Sequence, residues 1–464
     1  MENSKDNFSE WYTEIIDKAE LSDRRYPIKG MNVWLPYGLK IMQNIDALIR
    51  REMDSRNFKE VSFPLLISRE QLEVEFEHVR GFGDQLFWVT KGGSEPLDIE
   101  LALRPTSESA MYPMFSLWIR THADLPLRVY QIVNTFRYET KHTRPFIRVR
   151  EIHFFEAHTA HATYDDAENQ LKEYTDVFMK LCETMLISPI AHRRPDWDKF
   201  PGARYTIAFD AIMPSGRTLQ IGTIHQYGDN FSRHYDIAYA DEQGNRNLVS
   251  QTTYGMSERL IAALISIHGD NNGLILPPKF APIQVVIVPI PPVDDIMRAY
   301  VEKVKSDLES YGFRVHVDDR DNYTPGYKYN DWEMRGVPVR FEIGNREVRD
   351  SSVTAVLRTG GKRKIPASDI GNALSALILE IEEKLREASS NMNSKFAMKC
   401  SKFEDLKKEN TVSTAFWCGR KDCSDKIETD ADKNCLGFVE GSAKSGKCIV
   451  CDEPGKEATF AKTY

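Results

Sequence analysis

The first 275 residues contain several runs in which apolar and polar side chains alternate, as they do in strands with one buried face. These runs cover residues 61–68, 128–139, 146–161, 204–213 and 218–227. Apolar residues recur at helical spacing over residues 36–57 and again after Gly255. Because helices and strands follow one another irregularly, the pattern predicts an α+β domain built on an antiparallel sheet.

The pattern changes at residues 276–282, where three prolines in seven residues end the preceding helix. Strands and helices then alternate with short links, and a hairpin is expected at Gly360 and Gly361. Strands are predicted at 284–290, 314–317 and 339–343, with a helix near 327–335. This alternation predicts a compact α/β domain over a mostly parallel sheet.

A third unit begins after the last helix of that domain. A polar stretch over residues 388–395 leads into a tail that is rich in cysteine. We therefore divide the chain into an α+β domain at 1–276, an α/β domain at 283–388 and a small α+β domain at 397–464.

Composition and charge limit the classes of function. The formal net charge of −8 argues against general binding to polyanions, so any contact with RNA has to be local. The longest apolar runs, 260–267 and 285–290, are much shorter than the roughly 20 residues that span a bilayer. Residues 1–20 lack the basic and apolar regions of a signal peptide. We expect a cytoplasmic enzyme with no membrane partner.

Two separated segments carry the first candidate chemistry. The stretch 135–151 predicts a β-hairpin that brings Arg137 and Arg148 together, and two guanidinium groups can hold the oxygens of a triphosphate. A solvated charged hairpin would explain this stretch equally well if it stood alone. It would not explain why Gly255, Ser257 and Arg259 open a helix over a hundred residues later.

Together the two segments resemble motifs 2 and 3 of the class II aminoacyl-tRNA synthetases, and Pro64 resembles the motif 1 proline at their dimer interface. The resemblance implies a homodimer with the class II synthetase fold. It also implies that Arg137 and Arg259 are catalytic, gripping the α- and γ-phosphates of a bent ATP. The residues that it assigns to ATP and its Mg²⁺ are Arg137, Glu139, Arg148, Gln220, Thr223, Ser257 and Arg259.

The amino acid to be charged is indicated by residues 103–108, which resemble the Thr-x-Glu loop of the prolyl-tRNA synthetases, and by residues 220–225. In this family Glu108 would pair the charged ring nitrogen of proline, which needs a partner when it leaves water. The implied reaction is the ATP-dependent attachment of L-proline to tRNA(Pro), in two steps through a prolyl-adenylate. The implied proline-binding residues are Thr106, Glu108, Arg137, Phe154, Glu156, His158 and His225.

A catalytic metal is a competing interpretation of part of this region. His153, His158 and His161 lie close to Glu156 in the sequence, and such groups can ligate a metal. Strand alternation, however, points His158 and Glu156 to one face and the other two histidines to the opposite face. The metal is therefore the less favoured alternative.

The segment 324–340 resembles the anticodon-binding domain of class IIa synthetases in its prolyl version. Proline anticodons end in GG, and a carboxylate beside a cation matches the pairing edge of guanine while an aromatic ring can stack on the base. By spacing alone, solvated surface residues would be the simpler interpretation. The resemblance favours anticodon contacts by Tyr329, Glu333, Arg340 and Lys362.

The cysteine-rich tail contains two thiolate pairs, Cys418-x4-Cys423 and Cys448-x2-Cys451. This spacing predicts tetrahedral coordination of a structural Zn²⁺, with Cys435 as a ligand that could replace one of the four. Reduced cysteines without metal are the alternative. Prolyl enzymes of the archaeal/eukaryotic type have such a C-terminal zinc-binding domain and end, as this chain does, in tyrosine.

Two other functions remain open from the sequence. One is charging with another class IIa amino acid such as threonine, and the other is a regulatory paralogue that has lost catalysis. The interval between the two ATP motifs has no room for the large editing domain of bacterial-type prolyl enzymes. Since a proline pocket excludes alanine by only about 1–3 kcal/mol, some mischarging with alanine is expected.

Overall fold

The computed structural model describes residues 3–76 and 85–464. Among these residues, no helix is long and apolar enough to cross a membrane. The helices of the first part of the chain are α1 (Phe8–Lys18), α2 (Pro36–Asp54), α3 (Arg69–Phe76), α4 (Glu108–Trp118), α5 (Tyr164–Met185), α6 (Asn230–His234) and α7 (Arg259–His268).

The strands of this part lie in the main sheet, which contains the predicted antiparallel strands, or in three smaller sheets. They are β1 (Ser22–Asp23), β2 (Val33–Trp34), β3 (Lys59–Glu60), β4 (Leu66–Ser68), β5 (Phe87–Gly92), β6 (Glu95–Leu103), β7 (Leu127–Phe136), β8 (Glu151–His161), β9 (Ile190–Arg193), β10 (Tyr205–Ile212), β11 (Thr218–Gly228), β12 (Ala238–Ala240), β13 (Arg246–Leu248) and β14 (Ser250–Ser257).

The main sheet runs in the order β9-β10-β11-β14-β8-β7, with each neighbouring pair antiparallel. Its register aligns Gln131, Glu156, Gly255 and Thr223 in one row across four adjacent strands. Helices α5 and α7 cover one face of the sheet, and α7 is buried from Leu260 to His268. The opposite face is left to form a cavity.

Two strands differ from their predicted bounds for local reasons. The predicted strand at 61–68 is interrupted, because β3 ends at Glu60 and β4 begins at Leu66. Pro64 lies in the gap, and proline cannot donate to a strand ladder. The strand predicted from residue 146 begins at Glu151. Phe146 has φ of 60°, a left-handed conformation that does not continue a strand.

The second domain contains β15 (Val285–Pro289), α8 (Asp295–Ser310), β16 (Val315–Val317), α9 (Pro325–Met334), β17 (Val339–Ile343), α10 (Asn345–Arg349), β18 (Ser352–Leu357), β19 (Lys362–Pro366) and α11 (Ile370–Phe396). The sheet order is β16-β15-β17-β18-β19. Only β16, β15 and β17 are parallel, because the hairpin β18–β19 adds two antiparallel pairings. The prediction of a mostly parallel sheet is therefore wrong.

Helix α11 continues to Phe396, through the polar stretch at 388–395 that the sequence suggested as a link. The last unit then adds β20 (Ala397–Lys399), α12 (Phe403–Leu406), β21 (Val412–Trp417), α13 (Lys421–Ala431), β22 (Asn434–Val439), β23 (Ser445–Lys447) and β24 (Pro454–Ala461). These strands extend the main sheet, since β22 pairs with β9 and the order continues through β24 and β21 to β20.

Candidate active site

A cavity of about 520 Å³ lies on the open face of the main sheet. Its walls come from β8, β11, β14 and the hairpin between β7 and β8, which the sequence separates widely. The structure brings twelve of the predicted site residues together around it: Thr106, Glu108, Arg137, Glu139, Arg148, Phe154, Glu156, Gln220, Thr223, His225, Ser257 and Arg259.

One end of the cavity is acidic. The buried Glu108 carboxylate accepts hydrogen bonds from the hydroxyls of Thr106 and Tyr227, the latter at 2.8 Å. Arg137 lines the same cavity, and its Nε donates to the carbonyl of Pro105 at 3.2 Å. A small cation at this end of the cavity would therefore contact a carboxylate that hydrogen bonds hold in place. Tyr227 was not predicted as a site residue.

Glu156 lies on the cavity wall and stays ionised although it is buried. Burial alone would raise its pKa, but hydrogen bonds from His158, Ser107 and Gln131 outweigh burial and lower the pKa below its usual value. Gln131 donates at 2.9 Å and His158 Nε2 lies 3.0 Å away. Ser107 and Gln131 were missed, although Gln131 is the direct cross-strand neighbour of Glu156.

His158 was expected to line the pocket but is absent from the cavity wall. It is fully buried behind Glu156, where Nδ1 lies 3.1 Å from the hydroxyl of Tyr112. The alternation of side chains along β8 placed His158 on the correct face of that strand. It could not show that residues of β14 and α4 would cover the imidazole. His158 supports the wall rather than forming it.

An aromatic wall completes this end of the cavity. His225 packs against Phe200 at a centroid distance of 4.8 Å and lies parallel to Tyr227 at 6.0 Å. Burial lowers the pKa of His225 to about 3, so the ring is neutral at physiological pH. Phe154 reaches the same space because Gly255 has no side chain, and a Cβ there would lie 2.9 Å from its ring. A neutral aromatic wall suits an apolar ring.

The other end of the cavity is basic. Arg148 donates to Glu139 at 2.9 Å, and Arg259 donates to the carbonyl of Ile147 at 2.9 Å. Burial, with help from Arg148 and Arg137, lowers the pKa of Arg259 to about 10. Three guanidinium groups that line one cavity repel one another unless an anion binds between them. A polyphosphate has the charge and oxygens that such a cluster can bind.

The loop 194–203, between β9 and β10, forms a wall that sequence reasoning missed. Arg194, Asp198, Lys199 and Phe200 line the cavity. Arg194 donates to the side chain of Gln220 at 2.9 Å. The available signal was the arginine pair Arg193 and Arg194 at the end of a strand, which by itself is typical of a solvated turn.

Glu258 is a second residue that the sequence did not single out. It lies at the start of α7, lines the cavity and is buried, with no hydrogen-bond partner for Oε2. Burial raises the pKa of Glu258 to about 8. The group is therefore largely protonated at neutral pH in the folded protein and ionised in the unfolded chain.

A Glu258→Gln variant tests this protonation state. Because the folded pKa is raised, the parent holds a proton that unfolding releases, so its stability falls as pH rises from about 4.5 to 8. The neutral amide has no such dependence. We expect the stability of the variant relative to the parent to increase by about 3 kcal/mol between pH 5 and pH 8. Thermal unfolding at both pH values measures it, and equal pH dependence of the two proteins would contradict it.

The predicted anticodon residues lie together on the second domain. The guanidinium of Arg340 lies 4.1 Å from the ring centroid of Tyr329. Arg340 and Lys362 both donate to Glu342, at 2.9 and 2.8 Å, and these bonds outweigh burial and lower the pKa of Glu342. Glu333 and Arg340 share a small cavity of about 80 Å³. Glu342 was missed, although Arg340 lies two residues before it on β17; its other partner, Lys362, comes from β19.

An ion pair between the buried Arg358 and the part-exposed Asp270 anchors this surface to the first domain. Arg358 lines the small cavity beside Glu333 and makes two hydrogen bonds to Asp270, at 2.9 and 2.5 Å. Asn272 donates to Glu333 at 3.1 Å. Asp270 follows α7, which begins at Arg259. A single helix therefore lies between the basic end of the large cavity and the second domain.

The C-terminal unit holds the four predicted cysteines in one cluster. The sulfurs of Cys418, Cys423, Cys448 and Cys451 all lie within 4.8 Å of one another. Backbone hydrogen bonds outweigh burial and lower the pKa of Cys448 to about 7. Cys435 lies outside the cluster, and burial raises its pKa to about 12. A set of four convergent thiols fits tetrahedral coordination.

The histidines of the alternative metal site have separate partners. His153 pairs with Asp46 of α2 at 3.0 Å, on the face opposite the cavity. His161 is hydrogen-bonded to Thr159 at 2.9 Å. His158 pairs with Glu156, as described above. The three imidazoles therefore do not converge.

Two family models match the chain in separate regions. The tRNA synthetase class II core domain (G, H, P, S and T) matches residues 87–268. The anticodon binding domain matches residues 284–377. These matches agree with the class II fold and the anticodon-type domain that the motifs implied.

Curated relatives and solved structures agree with them. The chain is 58% identical to the proline--tRNA ligase of Thermoplasma acidophilum, over 100% of both chains. It is 48% identical to that of Pyrococcus abyssi, over 99% of this chain and 98% of the relative. A prolyl-tRNA synthetase from Giardia lamblia in complex with prolyl-adenylate superimposes with a TM-score of 0.96 at 34% identity, covering 99% of each chain. A Cryptosporidium parvum enzyme complexed with L-proline and AMP gives 0.93 at 32% identity, covering 100% of this chain and 99% of that one.

Proposed function

The chain belongs to the proline--tRNA ligase family, and we propose, from that membership and from the geometry of the cavity, how its residues divide the reaction. The enzyme joins L-proline to tRNA(Pro) at the expense of ATP, through a prolyl-adenylate. The observation that carries the assignment of residues is that one cavity has an acidic, aromatic end beside a cluster of three arginines. The first end suits proline and the second suits ATP.

Proline binds at the acidic end. Glu108, held by Thr106 and Tyr227, pairs the charged ring nitrogen, and such a pair gains strength from the low dielectric of a buried site. The ring of proline lies against Phe154 and the neutral His225. Since both walls are apolar and already packed, little side-chain ordering is needed on binding.

ATP binds at the basic end as its magnesium complex. Arg137 holds the α-phosphate, between the two ends of the cavity, while Arg148 and Arg259 hold the outer phosphates. Hydrogen bonds from the backbone of Lys141 and from Arg148 outweigh burial and lower the pKa of Glu139, which keeps this carboxylate ionised beside the metal-bound phosphates. Gln220, Thr223 and Ser257 line the same region.

The chemistry needs no covalent protein nucleophile. The proline carboxylate attacks the α-phosphorus in line, the α–β phosphoanhydride bond breaks, and pyrophosphate leaves. The terminal ribose hydroxyl of tRNA then attacks the prolyl carbonyl and AMP leaves. Positioning and stabilisation of negative charge supply most of the rate enhancement. The arginines that positioning and charge stabilisation require are present, which disfavours a paralogue that has lost catalysis. The relatives disfavour threonine as the amino acid that is charged.

The anticodon is recognised by the surface that carries Tyr329, Glu333, Arg340 and Lys362. Glu333 accepts from the donor groups of a guanine in the small cavity, and Arg340 supplies the complementary donor. Tyr329 offers a stacking face. Recognition of GG at the anticodon leaves the acceptor end free to reach the adenylate.

A Glu333→Ala variant tests this assignment. Without the carboxylate the guanine donors are left unpaired, so we expect kcat/KM for tRNA charging to fall by about 10²-fold. Proline-dependent ATP–pyrophosphate exchange in the absence of tRNA should remain within about twofold of the parent, because it does not involve this domain. Glu309→Ala, which removes a carboxylate on the outer face of α8, is the matched control. Unchanged charging by Glu333→Ala would contradict the assignment.

The C-terminal cluster holds one structural zinc ion. Cys418, Cys423, Cys448 and Cys451 supply four thiolates, which leave no open position for a substrate. We expect about one zinc per chain by metal analysis and its loss in Cys448→Ser, with a lower melting temperature. Cys435→Ser should keep its zinc. A parent enzyme without zinc, or equal loss from both variants, would contradict the ligand set.

Two further predictions concern the assembled enzyme. Two exposed apolar side chains lie near Pro64: Leu66, which is 41% exposed, and Trp118 of α4, which is 40% exposed and packs on Phe63 at a centroid distance of 5.6 Å. We propose that a second copy covers them in a homodimer, which sedimentation at twice the chain mass would test. A cytoplasmic location stays a prediction.

A further inference from the structure

The loop 194–203 stands between the substrate cavity and the C-terminal unit. On its inner side Asp198, Lys199 and Phe200 line the cavity, and Phe200 packs on His225. The loop contains no helix or strand of its own. Its position must therefore be set by what holds its ends and its outer side.

The C-terminal unit holds the first end of the loop. Strand β22 pairs with β9 through Phe438 opposite Arg193, the residue before the loop begins. The approach is close, because a Cβ at Gly437 would lie 2.1 Å from the carbonyl oxygen of Arg193. Gly437 has φ of 121°, which only glycine adopts readily. Glu440 adds an ion pair to Arg193 at 3.3 Å.

The outer side of the loop carries Trp197. Its ring meets the ring of Trp417 edge to face, at a centroid distance of 5.8 Å and an interplanar angle of 87°. This is a favoured geometry for an aromatic pair. The ammonium of Lys421 lies 5.9 Å from the centroid of Trp197. Trp197 is 43% exposed, so the contact contributes little to the core of the first domain.

Trp417 itself is firmly placed. It is 1% exposed, packs on Phe438 at 4.9 Å and donates from Nε1 to the carbonyl of Arg420 at 3.2 Å. The next residue is Cys418, which belongs to the four-cysteine cluster. Trp417 and Arg420, which this hydrogen bond joins, therefore flank Cys418, a ligand of the proposed zinc ion.

We propose that the C-terminal unit is a positioning element for the proline pocket, in which Trp417 holds Trp197 and thereby keeps the loop 194–203 against the cavity. Trp197 and Trp417 are positioning residues, since neither lines the cavity. The inference rests on the proposed binding of proline beside Phe200 and His225. This role accounts for the way the C-terminal unit extends the sheet of the first domain at β9, although none of its cysteines lines the cavity.

The test uses Trp197→Ala and Trp197→Phe in the full-length enzyme, with proline-dependent ATP–pyrophosphate exchange as the assay. A loosened loop weakens proline binding, so the alanine variant should raise KM for proline about tenfold, while KM for ATP and kcat stay within about twofold. Phenylalanine keeps an aromatic edge and should restore most of the loss. Tyr327→Ala removes a similarly exposed aromatic ring from the second domain and serves as the control.

A second measurement follows the loop directly. Trypsin should cleave after Lys199 faster in Trp197→Ala than in the parent, and proline should slow the cleavage, with the melting temperature changed by no more than about 2 °C. An unchanged KM for proline, or parallel increases in KM for proline and ATP, would overturn the inference. If the parent itself showed no proline-dependent exchange, the proposed function would fail first.

Discussion

Arg137→Ala is expected to lower the rate of proline-dependent adenylate formation on the order of 10³-fold. Arg137 lines the cavity between its acidic and basic ends, next to Glu108, Glu139 and Glu156. Burial lowers its pKa, but the three carboxylates favour the charged form. Because the guanidinium of Arg137 is already positioned at the α-phosphate, the protein need not reorganise when negative charge develops there in the transition state.

The measurement is ATP–pyrophosphate exchange at saturating proline and ATP. The loss should appear in kcat as well as in kcat/KM, because the interaction strengthens in the transition state. Arg246→Ala removes an exposed arginine that pairs with Asp236 and does not line the cavity, and it should leave exchange unchanged. An Arg137→Ala enzyme with near-normal exchange would remove Arg137 from the catalytic assignment.

Glu108→Gln should reduce kcat/KM for proline by about 10²–10³-fold. The side chain keeps its size, but the bound ammonium loses its anionic partner in a buried site, at a cost of about 3–5 kcal/mol. KM for ATP should change little, because Glu108 lies at the opposite end of the cavity. Exchange at varied proline concentration measures the effect.

Tyr227→Phe is the matched control for this experiment. It removes the 2.8 Å hydrogen bond to Glu108 and leaves the carboxylate charged. Its effect should be about tenfold or less, the scale of one neutral hydrogen bond. Equal losses in the two variants would mean that Glu108 acts through the packing of the pocket and not through its charge.

Local patterns predicted the class of the fold well. Alternation over β7, β8, β10 and β11 indicated strands with one buried face, and the structure confirms the antiparallel sheet. The motifs placed Arg137, Arg148 and Arg259 in one site because their chemistry is tied to short, recognisable segments. The comparisons support the same family.

Contacts between distant segments were not predictable in this way. The pairing of β22 with β9 depends on the close fit of Gly437 to Arg193, which no local pattern reveals. His158 was assigned to the pocket by resemblance, and the alternation that gives its face on β8 does not show what covers it. The loop 194–203 and Glu258 were missed because they derive their place from tertiary packing alone.

The anticodon surface shows an intermediate case. Tyr329, Arg340 and Lys362 were expected from resemblance, and the structure places them around Glu342. The antiparallel hairpin at β18 and β19 turned a predicted parallel sheet into a mixed one. The hairpin at Gly360 and Gly361 was expected, but the sequence did not show that it would add two antiparallel pairings to the three parallel strands.

If the cavity binds proline and ATP as proposed, it activates proline without any need for tRNA. The most direct test is ATP–pyrophosphate exchange driven by proline, alanine, cysteine and threonine in turn, without tRNA. We predict rapid exchange with proline, weaker exchange with alanine, which the pocket excludes by only about 1–3 kcal/mol, and none above background with threonine. Exchange with threonine at or above the rate with proline, or no exchange with proline, would contradict the account.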